Sequence, residues 1–564
     1  MTRRSWWLLA LVVAALALAA SVNSLPNGFA YDDIYLLVKA PRMHSFAGWW
    51  REFAHTYWPE ASGGDGYRPL TIIAFRAQWA IGGGAPIVFH AVNVALHAVT
   101  SVAVFWLACA VLPLAAAWIV AALYAVHPVH VEAIANVVGQ SELWVALLIT
   151  LAMGLYVHGR VGGPITWKRW TAIGALYVAG CLFKEHAIVL PALLVLAEAT
   201  AVRDRTPVGQ RLGRMRLPLL ALTVVALGYM WARSAIVVGG LSGFQPYIVF
   251  QALNLSTTDR ILTMIGAAPT WLHLFLWPAR LMTEYAPPFI DVAQGPSVAQ
   301  VPGLLVLLGV LGLLVACWRR SPSTSFGIGW LVITLLPASN FIVPAGFIIA
   351  ERTLLLPSIG AMIAVGSAIP WLYARLERRR VAQYAAAGAV ATLLALGIAR
   401  SYTHDPAWRD NDTLFRQAIK DSPGSYRAHF MLGVHLFENK RKTEGELHLR
   451  RALKLFPYDP LMVLALAEQY RGAGMCKPAI TLYRWLFTLQ PNSNRGHIGL
   501  ANCLLMTYQL DEARQEALQS IRVGGRLKPA RDIIYDVKQV QDILARRARA
   551  DTVVPLAPAT TRTR

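Results

Sequence analysis

The sequence predicts an all-α fold in two parts: a polytopic membrane helical bundle of about eleven spans, then a C-terminal α-solenoid of tetratricopeptide type. Three observations predict it. Apolar residues make up 56% of the 564-residue chain and charged residues 15%, too little charge to cover a soluble protein of this size. Long apolar runs recur up to about residue 400, and polar sequence follows. Within that polar part, Pro423, Pro457 and Pro491 recur every 34 residues.

The apolar runs lie near 6–20, 88–112, 114–126, 143–157, 170–183, 187–201, 217–232, 261–278, 301–318, 325–349, 354–374 and 381–399. A helix crossing the hydrocarbon core needs about 20 residues, so the shorter runs read as thin spans, interfacial helices or re-entrant pieces. The first run follows Arg3 and Arg4 and has the form of a secretory signal; the many spans after it favour an uncleaved signal-anchor.

Lys and Arg outnumber Asp and Glu by 52 to 31, for a net charge of +21. Much of the excess sits in short loops: Arg203, Arg205, Arg211, Arg214 and Arg216; Arg319 and Arg320; Arg375 and Arg378 to Arg380. Basic loops between apolar spans mark the cytoplasmic side, so the partner is a membrane and no nucleic-acid partner is predicted. The loop after the first span and residues 401–564 then both lie outside. Termini on opposite faces need an odd number of spans, so one of the twelve runs, 261–278 or 301–318, should not cross. The five cysteines are scattered and support neither a metal centre nor a disulfide framework.

In the polar part, Leu432-Gly433 recurs as Leu466-Ala467 and Leu500-Ala501, and Gly445, Ala479 and Ala513 share a register. Small residues let paired helices approach, and proline ends the second helix of each pair. Thr413 to Pro423 fits the second helix of a partial repeat, giving about three and a half repeats over 405–530. Such arrays commonly hold an extended peptide on their concave face; the alternative is an assembly surface. Residues 551–564 show no periodicity and are predicted to be disordered.

Ionisable groups beside apolar runs are costly and therefore functional leads. They cluster in four turns predicted to face outside: Asp32 and Asp33; His127, His130, Glu132 and Glu142; Lys184 and Glu185; Glu351 and Arg352. The outer loop 26–87 adds Arg68 and a set of aromatics, with 45–58 read as an interfacial helix. Each turn has a plainer reading: a solvated loop start at the acidic pair, helix-capping histidines, a Lys184–Glu185 ion pair, a Glu351–Arg352 bridge. His127, His130 and Glu132 lack matching ligands, so no metal site is predicted. Convergence of the four turns points to an active site on the outer face. A transporter would bury charge near span midpoints; what competes with an enzyme is a non-catalytic, membrane-anchored repeat scaffold.

The series "FAYDDIYLL", "YRPLTIIAFRAQWAIGG", "AVHPVHVEAIANVVGQSEL", "FKEHAIVLP" and "PASNFIVPAGFIIAERTLLLPS", followed by 34-residue repeats, resembles the transmembrane and tetratricopeptide-repeat O-mannosyltransferase family over roughly residues 29 to 520. The resemblance implies that residues 1–400 form a GT-C-type glycosyltransferase domain. It would move a hexose, mannose in this family, from a polyprenyl-phosphate donor to Ser or Thr hydroxyls of exported proteins, with the repeats holding the acceptor. The Ala- and Arg-rich character suggests a bacterial inner membrane with site and repeats facing the periplasm. Such transfer needs a base for the hydroxyl proton and cations for the leaving phosphate. The resemblance assigns Asp32 as base with Asp33 in support, and Arg352, then Lys184 and Arg68, as the cations. His127, His130 and Glu132, with Glu142, Glu185 and Glu351, complete the implied donor set. No cofactor is predicted, and the family pattern leaves room for a divalent cation.

Overall fold

The computed structural model describes residues 3–59, 65–161, 163–237, 247–376, 379–524 and 527–551. Every regular element among the described residues is helical. The chain divides into two compact units, Met1–Gln251 with Leu255–Ser425, and Ala252–Asn254 with Tyr426–Arg564.

Among the described residues of the first unit, seven segments are long and apolar enough to cross a membrane: Arg3–Ser24, Pro86–Val111, Val137–Val161, Arg216–Ile236, Val298–Cys317, Glu351–Leu376 and Arg380–Trp408. An eighth is reached if Leu114–Ala125 and Pro128–Ala135, bent by 47°, form one span. The bend falls where the proline ring at Pro128 withholds a backbone donor and His127 is extended. One shorter apolar helix, Pro322–Ala338, stands beside these among the described residues. Of the two runs picked out from sequence as not crossing, Val298–Cys317 is long and apolar enough to cross; the other, Thr257–Leu276, opens with a Ser256–Asp259 capping box and contains Pro269.

The segment Val137–Val161 is the most enclosed, 89% buried over its apolar window against 6% for Val298–Cys317. Its helix, Gln140–Val161, carries Glu142 in its first turn and Arg160 in its last, about 27 Å apart at 1.5 Å per residue. At the far end, buried Glu198 accepts from Arg160 (2.6 Å) and Arg211 (3.0 Å), which anchors the basic loop. That loop and the Glu142 turn therefore sit at opposite ends of one helix.

Pro322–Leu335 and Leu355–Gly366 cross with their backbones in contact. A Cβ on Gly327 would stand 2.6 Å from the Gly360 carbonyl oxygen, and one on Gly360 2.5 Å from the Gly327 oxygen. Only glycine permits this approach. Trp330 Nε1 donates to the Leu356 carbonyl (2.9 Å), fixing the rotation of the pair and hence the Glu351–Leu354 turn just ahead of it.

The stretch 45–58 is not one interfacial helix. Its only helical part is the short turn Trp49–Ala54, with Trp50 exposed. Arg76 donates to the carbonyls of Ser45 (2.7 Å) and Ala47 (2.5 Å), acceptors that a helix starting there would use itself.

In the second unit, Tyr426–Glu438, Pro460–Gly472 and Asn494–Met506 start 34 residues apart, each paired with a second helix: Lys442–Leu455, Cys476–Leu489 and Leu510–Arg522. Leu527–Asp551 follows. Gly433 and Gly445 meet as the register requires, a Cβ on Gly445 falling 2.9 Å from the Gly433 oxygen. The half-repeat helix Asn411–Asp421 packs with the first unit. Residues 552–564, most of the tail read as disordered, lie outside the described residues.

The Gly327–Gly360 crossing yields a prediction. Gly360→Val forces the two backbones apart, an overpacking cost of about 1–3 kcal/mol. Thermal unfolding in detergent should show a clearly lowered midpoint, and a wild-type midpoint would contradict the crossing.

Candidate functional site

The two adjacent acids after the first span face opposite environments. Asp33 is buried, and its carboxylate accepts the backbone N–H of Val138 (2.9 Å), Ala30 (3.2 Å) and Val137 (3.4 Å). It ties the loop to the turn that opens Gln140–Val161. Burial raises its carboxyl to about 7, against the pull of the three N–H donors, and neighbouring Asp32 adds to the rise. Asp32 is half-buried and faces a cavity of about 520 Å³.

The cavity wall brings together Asp32, Arg68, Glu142, Lys184, Glu185 and Arg352 from five separate stretches of chain. The same lining includes apolar residues, Ile188, Met230, Val343, Pro344 and Phe347, the last with its ring 5.6 Å from the Arg352 guanidinium. Each predicted cation meets a carboxylate. Arg68 grips Glu185 through two bonds (2.6 and 2.9 Å), with its guanidinium 4.7 Å over the Tyr57 ring. Lys184 pairs with Glu142. Arg352 pairs with Glu132, whose second oxygen accepts the Arg352 backbone N–H at 2.9 Å.

These pairs are not the sequence neighbours. Lys184 is extended (φ −162°, ψ 142°), so it and Glu185 point apart and each finds a distant partner. Burial alone would lift the Glu185 carboxyl; the Arg68 guanidinium outweighs it and holds Glu185 well below the usual range. Burial also lowers the Lys184 ammonium, and Glu142 opposes that without reversing it.

Four other predicted residues stand behind the wall rather than on it. His127 Nε2 is 3.1 Å from the Phe275 carbonyl and His130 Nε2 2.9 Å from Ser358 Oγ. Glu132 is buried and serves Arg352. Glu351 is buried and accepts from Tyr285 Oη (2.5 Å) and the Met282 N–H (2.6 Å). Their geometry supports the wall. Among the described residues no group of three or more His, Cys, Asp or Glu is arranged to hold a metal ion.

The wall also contains residues outside the predicted site set: Tyr31, Asp65, His186, Arg233 and the 337–347 loop. His186 Nε2 lies 3.3 Å from Glu142, and Arg233 donates to Asp65 at 3.3 Å. In the loop, Asn340 holds φ 58° and closes a turn on itself. Its Oδ1 accepts the Ala345 N–H (2.6 Å) and its Nδ2 donates to the Phe347 carbonyl (2.8 Å). The sequence signal was present in Pro337, Pro344 and Gly346, turn residues in an otherwise apolar run.

Residues 413–460 match the tetratricopeptide repeat family model. The chain is 25% identical to "Protein O-mannosyl-transferase TMTC3" of Mus musculus, over 92% of this chain and 60% of that protein. It is 24% identical to the Homo sapiens protein of the same name, over 92% and 61%. With "Protein O-mannosyl-transferase TMTC1" of Homo sapiens it shares 26% identity over 77% of this chain and 54% of the relative. The chain thus spans about three fifths of the length of the curated relatives it matches. The family resemblance read from the motifs extends along nearly all of it.

The buried acid predicts a pH dependence. A carboxyl raised from 3.8 to about 7 in the folded state favours folding fully below its unfolded value. That contribution is lost as pH rises through about 7. Asp33→Asn removes it, so the wild-type unfolding midpoint, measured relative to the variant, should fall between about pH 4 and 7. A difference constant across that range would contradict the assignment.

Proposed function

We propose that this chain, like the protein O-mannosyl-transferases it resembles, is an integral-membrane glycosyltransferase. It moves mannose from a polyprenyl-phosphate donor to Ser or Thr hydroxyls of exported proteins. The observation that carries the reading is one cavity in which Asp32 shares a wall with Arg68, Lys184 and Arg352. The acceptor oxygen attacks the anomeric carbon while Asp32 takes the hydroxyl proton. The carbon–oxygen bond to phosphate breaks, and the electron pair leaves with the polyprenyl phosphate. A single displacement of this kind inverts the anomeric centre.

The cations suit that leaving group even though each is already paired. A guanidinium has five N–H donors and an ammonium three, so donors remain for phosphate oxygens. Their carboxylate partners hold them in place before the donor arrives, which is how preorganised electrostatic stabilisation works. Glu132, gripping Arg352 at both main chain and side chain, positions it. The apolar lining residues suit the first isoprene units or an apolar acceptor segment. The basic loop at the far end of Gln140–Val161 supports a site on the outer face, in a bacterium the periplasmic face of the inner membrane. The repeats would hold the acceptor polypeptide.

The test is transfer by the purified full chain in lipid nanodiscs, given polyprenyl-phosphate mannose and Ser/Thr peptides. Wild type should form the inverted mannosyl peptide. Asp32→Asn should lower kcat by about 10²–10⁴-fold, the usual worth of a general base, with an unchanged unfolding midpoint. An Asp32→Asn variant as fast as wild type, or no transfer by either, would overturn the proposal.

A further inference from the structure

The repeat match begins at residue 413, so helix Asn411–Asp421 belongs to the repeats by sequence. By packing it belongs to the first unit. There, this helix and the segment leading into it hold the loop that carries Asp32. Asn23 Nδ2 donates to the Tyr402 carbonyl (2.7 Å) and Asn27 Nδ2 to that of Asp405 (2.9 Å). The Gly28 N–H donates to the Arg409 carbonyl (2.9 Å). The Tyr31 N–H donates to Asn411 Oδ1 (2.6 Å), and the Tyr31 ring meets Phe415 edge-on at 6.2 Å.

The last of these bonds falls on a strained residue. Tyr31 has φ 56°, a left-handed backbone that is unfavourable for a bulky residue. Such a conformation persists only where surrounding contacts over-determine it. Tyr31 directly precedes Asp32, and Asp33 is clamped on the other side by the 137–138 backbone. Asp32 therefore sits between two fixed points, one supplied by a residue 380 positions away. Asn411 is itself steadied at the helix start, where Asp410 accepts the Thr413 N–H at 2.8 Å.

We infer that Asn411 is a positioning residue for Asp32, holding the left-handed Tyr31 backbone so that the carboxylate faces the cavity. This rests on Asp32 being the base. Asn411→Ala should lower kcat about tenfold, one lost hydrogen bond, with the donor KM within about twofold. Asn411→Asp, which keeps the acceptor, should stay near wild type. On a Tyr31→Asn background, where the left-handed backbone is tolerated, the Asn411→Ala loss should shrink.

Amide hydrogen exchange reads the same loop without activity. Residues 28–34 should exchange faster in Asn411→Ala while 137–145 stay protected. Unchanged exchange in the loop, or an equal kcat loss on both Tyr31 backgrounds, would overturn the inference. If wild type transfers no mannose, the functional reading fails, and the exchange result alone decides the role of Asn411.

Discussion

A cation in a largely buried wall is tolerable only with a carboxylate beside it, and that constraint organises the charged turns of the first unit. Arg68 reaches Glu185, Lys184 reaches Glu142, and Arg352 reaches Glu132 across 220 positions. Breaking such a pair by removing one partner costs about 3–5 kcal/mol, because the other charge is left buried and alone. The same bonds that staple distant turns together also bring the cations to one cavity. Fold and candidate chemistry depend on the same side chains.

Asp32 and Asp33 show how environment separates two identical groups. One faces the cavity; the other is enclosed by three backbone donors and acts as a strut. Glu132 and Glu351 are both buried struts, the first pairing with Arg352 and the second accepting from Tyr285 and the Met282 N–H. Acids adjacent to the site thus brace the wall, and Asp32 is the carboxylate proposed to meet the substrate.

Much of this was legible in the sequence. Hydropathy located apolar helices, and the 34-residue period anticipated the paired repeat helices, because both signals repeat many times. The four charged turns stood out against apolar surroundings. Their partners did not, since pairing across 117 or 220 positions is decided by how helices pack. The resemblance put His127, His130 and Glu132 in one donor-binding set; in the fold, around the bend at Pro128, each meets a different neighbour. Asn340 and Asn411 were invisible as single polar residues; each matters through one backbone geometry that only the folded chain reveals. Arg76, taking the carbonyls of Ser45 and Ala47, likewise removed a helix that the aromatics of 45–58 had suggested.

The central claim is that the paired cations of one cavity receive a lipid phosphate. The most direct measurement is an electron cryomicroscopy structure of the full chain in a lipid nanodisc with polyprenyl phosphate added. The account predicts phosphate density within hydrogen-bonding distance of Arg352 and Lys184 or Arg68, with the lipid chain leaving along the apolar lining residues. Phosphate bound elsewhere, with this cavity unchanged, would contradict it.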